Sequence, residues 1–319
     1  MAVSNYSFSI GGFGFGVEAD LVSDSATFAY TYGLAWGVTE VVGLKDRPSV
    51  RSADTAKPYA HGTFAGADRY DGRTVTVTLQ LLTAWDKTPA QFADYIRALE
   101  LATQVTDTAQ VCLFKMPGWG HTGSLDSDII RVLGRVRRCA IGMQVSTYGI
   151  QAPVAVLDIY CNDPYIYSQI DDVADFTTPS SNVGRTYNMN FPVDYGGSSR
   201  LTLANLQNYG TAPAPLTVDF YGPCTNPFLN NLDSDKVFKL NTTIATGDYV
   251  RCSFSDQTVL FDGVTNQRNR VAAGSSFWTI APTNTLSDSF VSQGDTVSFG
   301  YSSGSAPAHA VVTYASTWL

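Results

Sequence analysis

Gln151-Ala-Pro-Val-Ala-Val-Leu-Asp-Ile-Tyr-Cys-Asn-Asp-Pro-Tyr-Ile-Tyr167 is the stretch in which this chain changes character. Val154, Val156, Leu157 and Ile159 give it the composition of a pleated, buried strand. Pro164 cannot donate to a strand ladder, and it biases Asp163 toward extended or turn backbone. The strand therefore ends in a hard turn at Asn162-Asp163-Pro164. Before it lie the single good helix pattern and most of the basic residues. After it come a polar stretch and a long series of short strands. The turn is read as a boundary between domains 1–167 and 168–319, with Asn162, Asp163 and Pro164 as the interdomain hinge.

A chain of 319 residues is long for one hydrophobic core and suggests about two domains. Gly, Thr, Ser, Tyr and Phe are plentiful, which favours strands and turns over helices. The formal charge of −8 gives no global attraction for nucleic acid or for an anionic membrane. The five cysteines are odd in number, widely spaced and without a CxxC pair. They read as reduced, mostly buried small side chains, as in a protein made in a cytoplasm. The three histidines are not spaced with them as zinc ligands. The N-terminus lacks a signal-peptide pattern, and no apolar run approaches the ~18 residues of a membrane span, so no membrane insertion is expected.

Asn5 to Phe15 alternates apolar and small residues and reads as a glycine-softened strand or arm, since no helix follows to make a phosphate loop of its glycines. Thr27 to Leu34 reads as another strand. Residues 43–73 are polar and broken, with Arg47, Arg51 and Lys57 among charges of both signs. A loop this long is usually functional or disordered, and it is read as an extended arm that grips a neighbour. In Arg73-Thr-Val-Thr-Val-Thr-Leu-Gln-Leu-Leu82, the alternation of Val75, Val77, Leu79 and Leu81 with Thr74, Thr76, Thr78 and Gln80 predicts a half-buried antiparallel strand. Thr88-Pro89-Ala90-Gln91 is a capping box with Pro at the first helical position. Phe92, Tyr95, Ile96, Leu99 and Ala102 then mark a helix over about 89–104 that packs on its own sheet.

Trp119 centres an exposed loop. From Asp128 to Ala140 the pattern places Ile130, Val132 and Val136 on one strand face and Arg131, Arg135 and Arg137 on the other. This is the densest positive patch in an acidic chain. It is either a solvated face offset by nearby carboxylates or a docking surface for an acidic protein. Residues 171–182 read as an acidic connector. Beyond it, short strand candidates recur at turns such as Gly222-Pro223 and Asp262-Gly263, the signature of an antiparallel β-sandwich.

No arrangement rises to an enzyme: there is no Gly-x-Ser-x-Gly elbow leading from a strand into a helix, and His-Glu-x-x-His is missing. His121 with Asp126 and Asp128 is read as a plain polar loop. Catalytic, metal and cofactor residues are therefore none. The candidate interface residues are Arg47, Arg51, Lys57, Trp119, Arg131, Arg135 and Arg137. Tyr221, Tyr249, Trp278, Tyr301 and Trp318 are candidates for stacking on sugar, with core packing the better role for Trp278.

Two features resemble the distal tail proteins of long-tailed, non-contractile bacteriophages. One is the order of parts: a strand-rich domain with one helix, a strand ending in Cys161-Asn-Asp-Pro-Tyr-Ile-Tyr, then a sandwich. The other is the text of Asn208-Tyr-Gly-Thr-Ala-Pro-Ala-Pro-Leu-Thr-Val-Asp-Phe-Tyr-Gly-Pro-Cys, Thr246-Gly-Asp-Tyr-Val-Arg-Cys-Ser-Phe and Phe277-Trp-Thr-Ile-Ala-Pro. One departure is the segment 286–307, which is longer and richer in Ser and Gly than the resemblance leads one to expect. The resemblance implies a mainly β chain: a tail-tube-like β-sandwich or split barrel with one α-helix, then a galectin-like antiparallel β-sandwich. It implies a structural virion protein, without cofactor, that forms a homohexameric ring at the distal end of the tail tube. Its expected partners are the tail tube protein, the tail-tip hub protein and the tape measure protein. DNA would pass through the ring's channel without specific binding. The expected place is the tail tip of the virion, after assembly in the host bacterial cytoplasm. The alternative is a carbohydrate-binding or adhesion β-sandwich.

Overall fold

In the computed structural model, residues 7–10, 13–16, 36–81, 89–115, 129–142, 153–177, 202–283 and 294–319 are described. The chain divides into two compact units, Met1–Ile170 with Trp318–Leu319, and Asp171–Thr317. It is mainly β, with one α-helix, Pro89–Ala102, among the described residues.

The first unit is built on a sheet whose central strands run in the order Gln110–Lys115, Ile129–Gly142, Val154–Cys161, Arg73–Leu81, Trp36–Val42. The alternation in Arg73–Leu81 is realised residue by residue. Val75, Val77, Leu79 and Leu81 are buried, and Thr74, Thr76, Thr78 and Gln80 turn outward. Val77 lies opposite Leu157, and Val75 opposite Ile159. Each such side chain contributes about 1.5–3 kcal/mol on burial. Leu99 and Ala102 join this core, with Tyr95 and Ile96 packed at its edge. The Trp36 indole donates to the Tyr95 carbonyl at 3.3 Å. The side chain of Phe92 lies outside the described residues, as do residues 27–34.

The second unit is a β-sandwich. One sheet has six strands, among them Asp172–Phe176, His309–Tyr314, Leu216–Tyr221 and Tyr249–Ser253. The other has four: Thr202–Leu206, Asp295–Gly300, Phe228–Asn231 and Lys236–Lys239. Phe220 of the first sheet meets Phe238 and Phe299 of the second at 6.5 and 6.1 Å between ring centroids. Trp278 is buried and packs edge-on against Phe254 at 5.5 Å.

Two readings change here. Asp172–Phe176, expected within a connector, is a strand paired with His309–Tyr314. Its buried Phe176 is flanked by carboxylates that hide the alternation in the sequence. Phe277–Ala281, expected as a strand, forms only an isolated bridge between Ile280 and Ala214. Its neighbourhood does another job. The backbone of Ala272 and Ser276 bonds to Lys239 and Val237, which covers the edge of the four-stranded sheet.

Candidate assembly surfaces

Residues 43–73 form a two-stranded arm. Val50–Arg51 pairs with Arg69–Tyr70, and Thr55–Ala56 pairs with Thr63–Phe64. Every residue from 49 to 71 is exposed. Val50, Tyr59, Phe64 and Tyr70 place large apolar side chains in water. Arg47, Arg51 and Lys57 are all exposed there, and the Lys57 ammonium sits 5.5 Å from the centre of the Phe64 ring. Internal bonds hold the arm's shape: Asp71 N–H to the Ser49 carbonyl at 2.8 Å, and Gly66 N–H to Asp54 Oδ1 at 2.7 Å. Val50, Asp68, Arg69 and Tyr70 line a shallow groove along it.

The root of the arm is fixed by Arg73, a residue to which the sequence pattern alone assigns no role. Its phase in the Val75–Val77–Leu79 alternation points it inward, and it is only 2 % exposed. Its Nε donates to the Pro164 carbonyl at 3.0 Å, and its Nη1 donates to the carbonyls of Leu44 and, more weakly at 3.4 Å, Gly43. Nη2 is buried without a partner. Burial lowers this guanidinium's pKa, opposed by Cys161 and Asp46. Gly43 has φ +84°, and a Cβ there would stand 2.3 Å from the Thr74 carbonyl oxygen. Only glycine fits this backbone.

Asn162, Asp163 and Pro164, expected as an interdomain hinge, lie inside the first unit. Asp163 accepts from the Tyr165 N–H at 3.1 Å and the Tyr167 hydroxyl at 2.6 Å. Burial, then the bond to Asp163, raises the Tyr167 phenol. The chain then re-enters the sheet as Ile166–Ser168, and the division falls after Ile170. The turn is pinned because its own side chain and Arg73 satisfy its polar groups locally.

Arg131 and Arg135 lie on the outer face of Ile129–Gly142, with Leu133 between them. Leu133 is paired directly with Val111, and both are substantially exposed. Arg131 donates to the Gln169 carbonyl at 3.4 Å and Arg135 to the Asp107 carbonyl at 3.2 Å. A register shift between Val136 and Arg138 breaks the alternation. Arg137 consequently lies over the Tyr160 ring at 5.1 Å, while Arg138 pairs with Asp158 at 3.5 Å. The expected row of arginines is thus split by a bulge. Trp119, His121, Asp126 and Asp128 lie outside the described residues.

The aromatic candidates for stacking on sugar make contacts within the protein. Tyr221 stacks on His309 at 4.4 Å on one side and on Tyr249 at 5.6 Å on the other. Beside them Arg251 makes a bidentate pair with Asp219, at 2.8 and 2.7 Å, which raises the arginine's pKa. Trp318 packs against the core of the first unit, and Tyr301 packs edge-on to Phe299. Among the described residues, no group of three or more His, Cys, Asp or Glu converges on a metal position.

A mainly β chain of two compact units, the second a β-sandwich, defines a class of fold. Similarity to known proteins says which class. Residues 209–303 match the family of the siphovirus-type tail component, C-terminal domain. The fold matches the crystal structure of SPP1 Dit, described as a paradigm of the hub adsorption apparatus in phages that infect Gram-positive hosts. The TM-score is 0.62 at 13 % identity, over 99 % of this chain and 100 % of that one. Two structures of the phage P2 baseplate in its activated conformation, with Ca and with Sr, match at 10 % identity and TM-scores of 0.42. They cover 98 % and 97 % of this chain and 97 % and 98 % of theirs. No curated protein matches. The chain is Dit-like: it has that fold across both units, and the tail-component sequence pattern in the second.

Proposed function

We propose that this protein is a structural component of a phage tail hub, closing as a hexameric ring at the distal end of the tail tube. The observation that carries the reading is the tail-component pattern in residues 209–303, within a chain that shares the Dit fold over nearly its whole length. The first unit would build the ring and the second would project from it. The ring would join the tube to the tail-tip hub and meet the tape measure protein. A charge of −8 suits a wall along which DNA slides without releasing counterions. The arm suits a closed ring, in which one subunit's projection meets the next subunit's body at every interface. Five unpaired cysteines fit assembly in a reducing host cytoplasm.

The test is direct. Light scattering of purified protein over a concentration series should show a defined oligomer, and micrographs should show rings with a central hole. Antibody labelling of virions should mark the tail tip. A protein that stays monomeric at every concentration and labels no virion would falsify the reading.

A further inference from the structure

The arm cannot be stabilised by the unit that carries it, because all of its residues from 49 to 71 face water. A two-stranded ribbon is marginal on its own in water, and three or more strands or a packed face are needed to support one. The same unit exposes a second apolar feature, the cross-strand pair Val111 (46 %) and Leu133 (39 %), flanked by Arg131 and Arg135. The two features belong to different parts of the sheet. The arm leaves the strands Trp36–Val42 and Arg73–Leu81, and the strand Val154–Cys161 separates these from Ile129–Gly142.

We propose that the Val111–Leu133 strip is the seat for the arm of a second copy of this chain. The inference rests on the ring reading and adds the pair of surfaces that would make it. An isologous dimer needs one self-complementary patch, whereas head-to-tail closure needs two unlike ones on the same subunit. The arm and the strip are such a pair. The arm offers Phe64 and Tyr70 to Leu133 and Val111. Its aromatic rings and the carboxylates of Asp54 and Asp68 suit the guanidinium groups of Arg131 and Arg135. The fixed root at Gly43 and Arg73 sets where the arm leaves the sheet, so docking orders the ribbon beyond the root and not the root itself.

Complementation tests this. Phe64→Asp spoils the arm and leaves the strip; Leu133→Asp spoils the strip and leaves the arm. Both positions are exposed, and circular dichroism checks that each variant keeps the parent's fold. Each variant alone should associate at least about tenfold more weakly than the parent, as expected for a buried apolar anchor. Mixed in equal amounts, they retain one good interface per pair and should form dimers and nothing larger. If the parent assembles but Leu133→Asp assembles equally well, the seat is elsewhere and the ring reading stands. Mixtures that stay monomeric, or that close full rings, overturn the proposal. A parent that never associates overturns both.

Discussion

Replacing Arg73 with Met should loosen the arm while barely changing global stability. Hydrogen bonds from this charged donor, to Pro164 and Leu44, contribute about 1.5–3 kcal/mol each. Against them stands a guanidinium that is 2 % exposed, with Nη2 unpartnered. Removing such a charge from water costs several kcal/mol. The opposing terms nearly cancel, and Met keeps most of the apolar stem. Global stability should therefore change by less than about 2 kcal/mol. The local effect does not cancel, because residues 43–44 and 164 lose a side chain that ties them together. Hydrogen exchange should show the Asp71 amide, which is bonded to the Ser49 carbonyl at 2.8 Å, exchanging at least about tenfold faster, the scale of losing about 1.4 kcal/mol of local protection. Amides of the Val75–Leu79 strand should be unchanged, and ring association should weaken. Arg73→Lys, which keeps the charge but cannot span both segments, should fall between. Unchanged exchange at Asp71 would refute the clamp. So would a cooperative loss of more than about 4 kcal/mol, since Arg73 would then be a general core residue.

Asn208 is fully buried; its amide donates to Ala212 and Ile280, and its oxygen accepts from Gly210 and Thr317. Asn208→Ala leaves the Gly210 and Thr317 N–H groups and the Ala212 carbonyl without this partner, whereas the Ile280 carbonyl keeps its bond from the Ala214 N–H, and it should cost the second unit about 3 kcal/mol, a fall of roughly 8 °C in its calorimetric transition. Burial raises the thiol of Cys112 to about 12 and those of Cys161 and Cys224 to about 11, from an ordinary 9.0. The fold favours their neutral form, so their contribution is intact below pH 9 and lost as pH rises through 11 to 12; Tm measured across that window should fall. At pH 8 a thiol reagent should modify Cys139 first, since it is the half-exposed cysteine. Equal reactivity of Cys252 would contradict the packing.

The elements with strong local signals are legible in the sequence. Strand Arg73–Leu81 and helix Pro89–Ala102 stand where alternation, capping and helical spacing put them. The short strands Leu216–Tyr221 and Tyr249–Ser253 follow their β-branched and aromatic residues. Asp172–Phe176 is hidden because three aspartates in the neighbourhood outweigh one phenylalanine in a short window, although only the inward positions matter for burial. The candidate site is legible in its parts. The arm's length and its charges of both signs show in the sequence, but its bare aromatic residues and fixed root do not.

By itself, then, the sequence determined the kinds of element present and an organisation in two parts, because periodicity and turn chemistry act over a few residues. It also held Arg73 in phase with the core. Tertiary structure alone decided what Arg73 grips, where the arginine row is split, and that Leu133 meets Val111 on an open face. Those facts depend on strand register and on contacts between residues far apart in the chain, such as Arg73 with Pro164. No local window contains both partners.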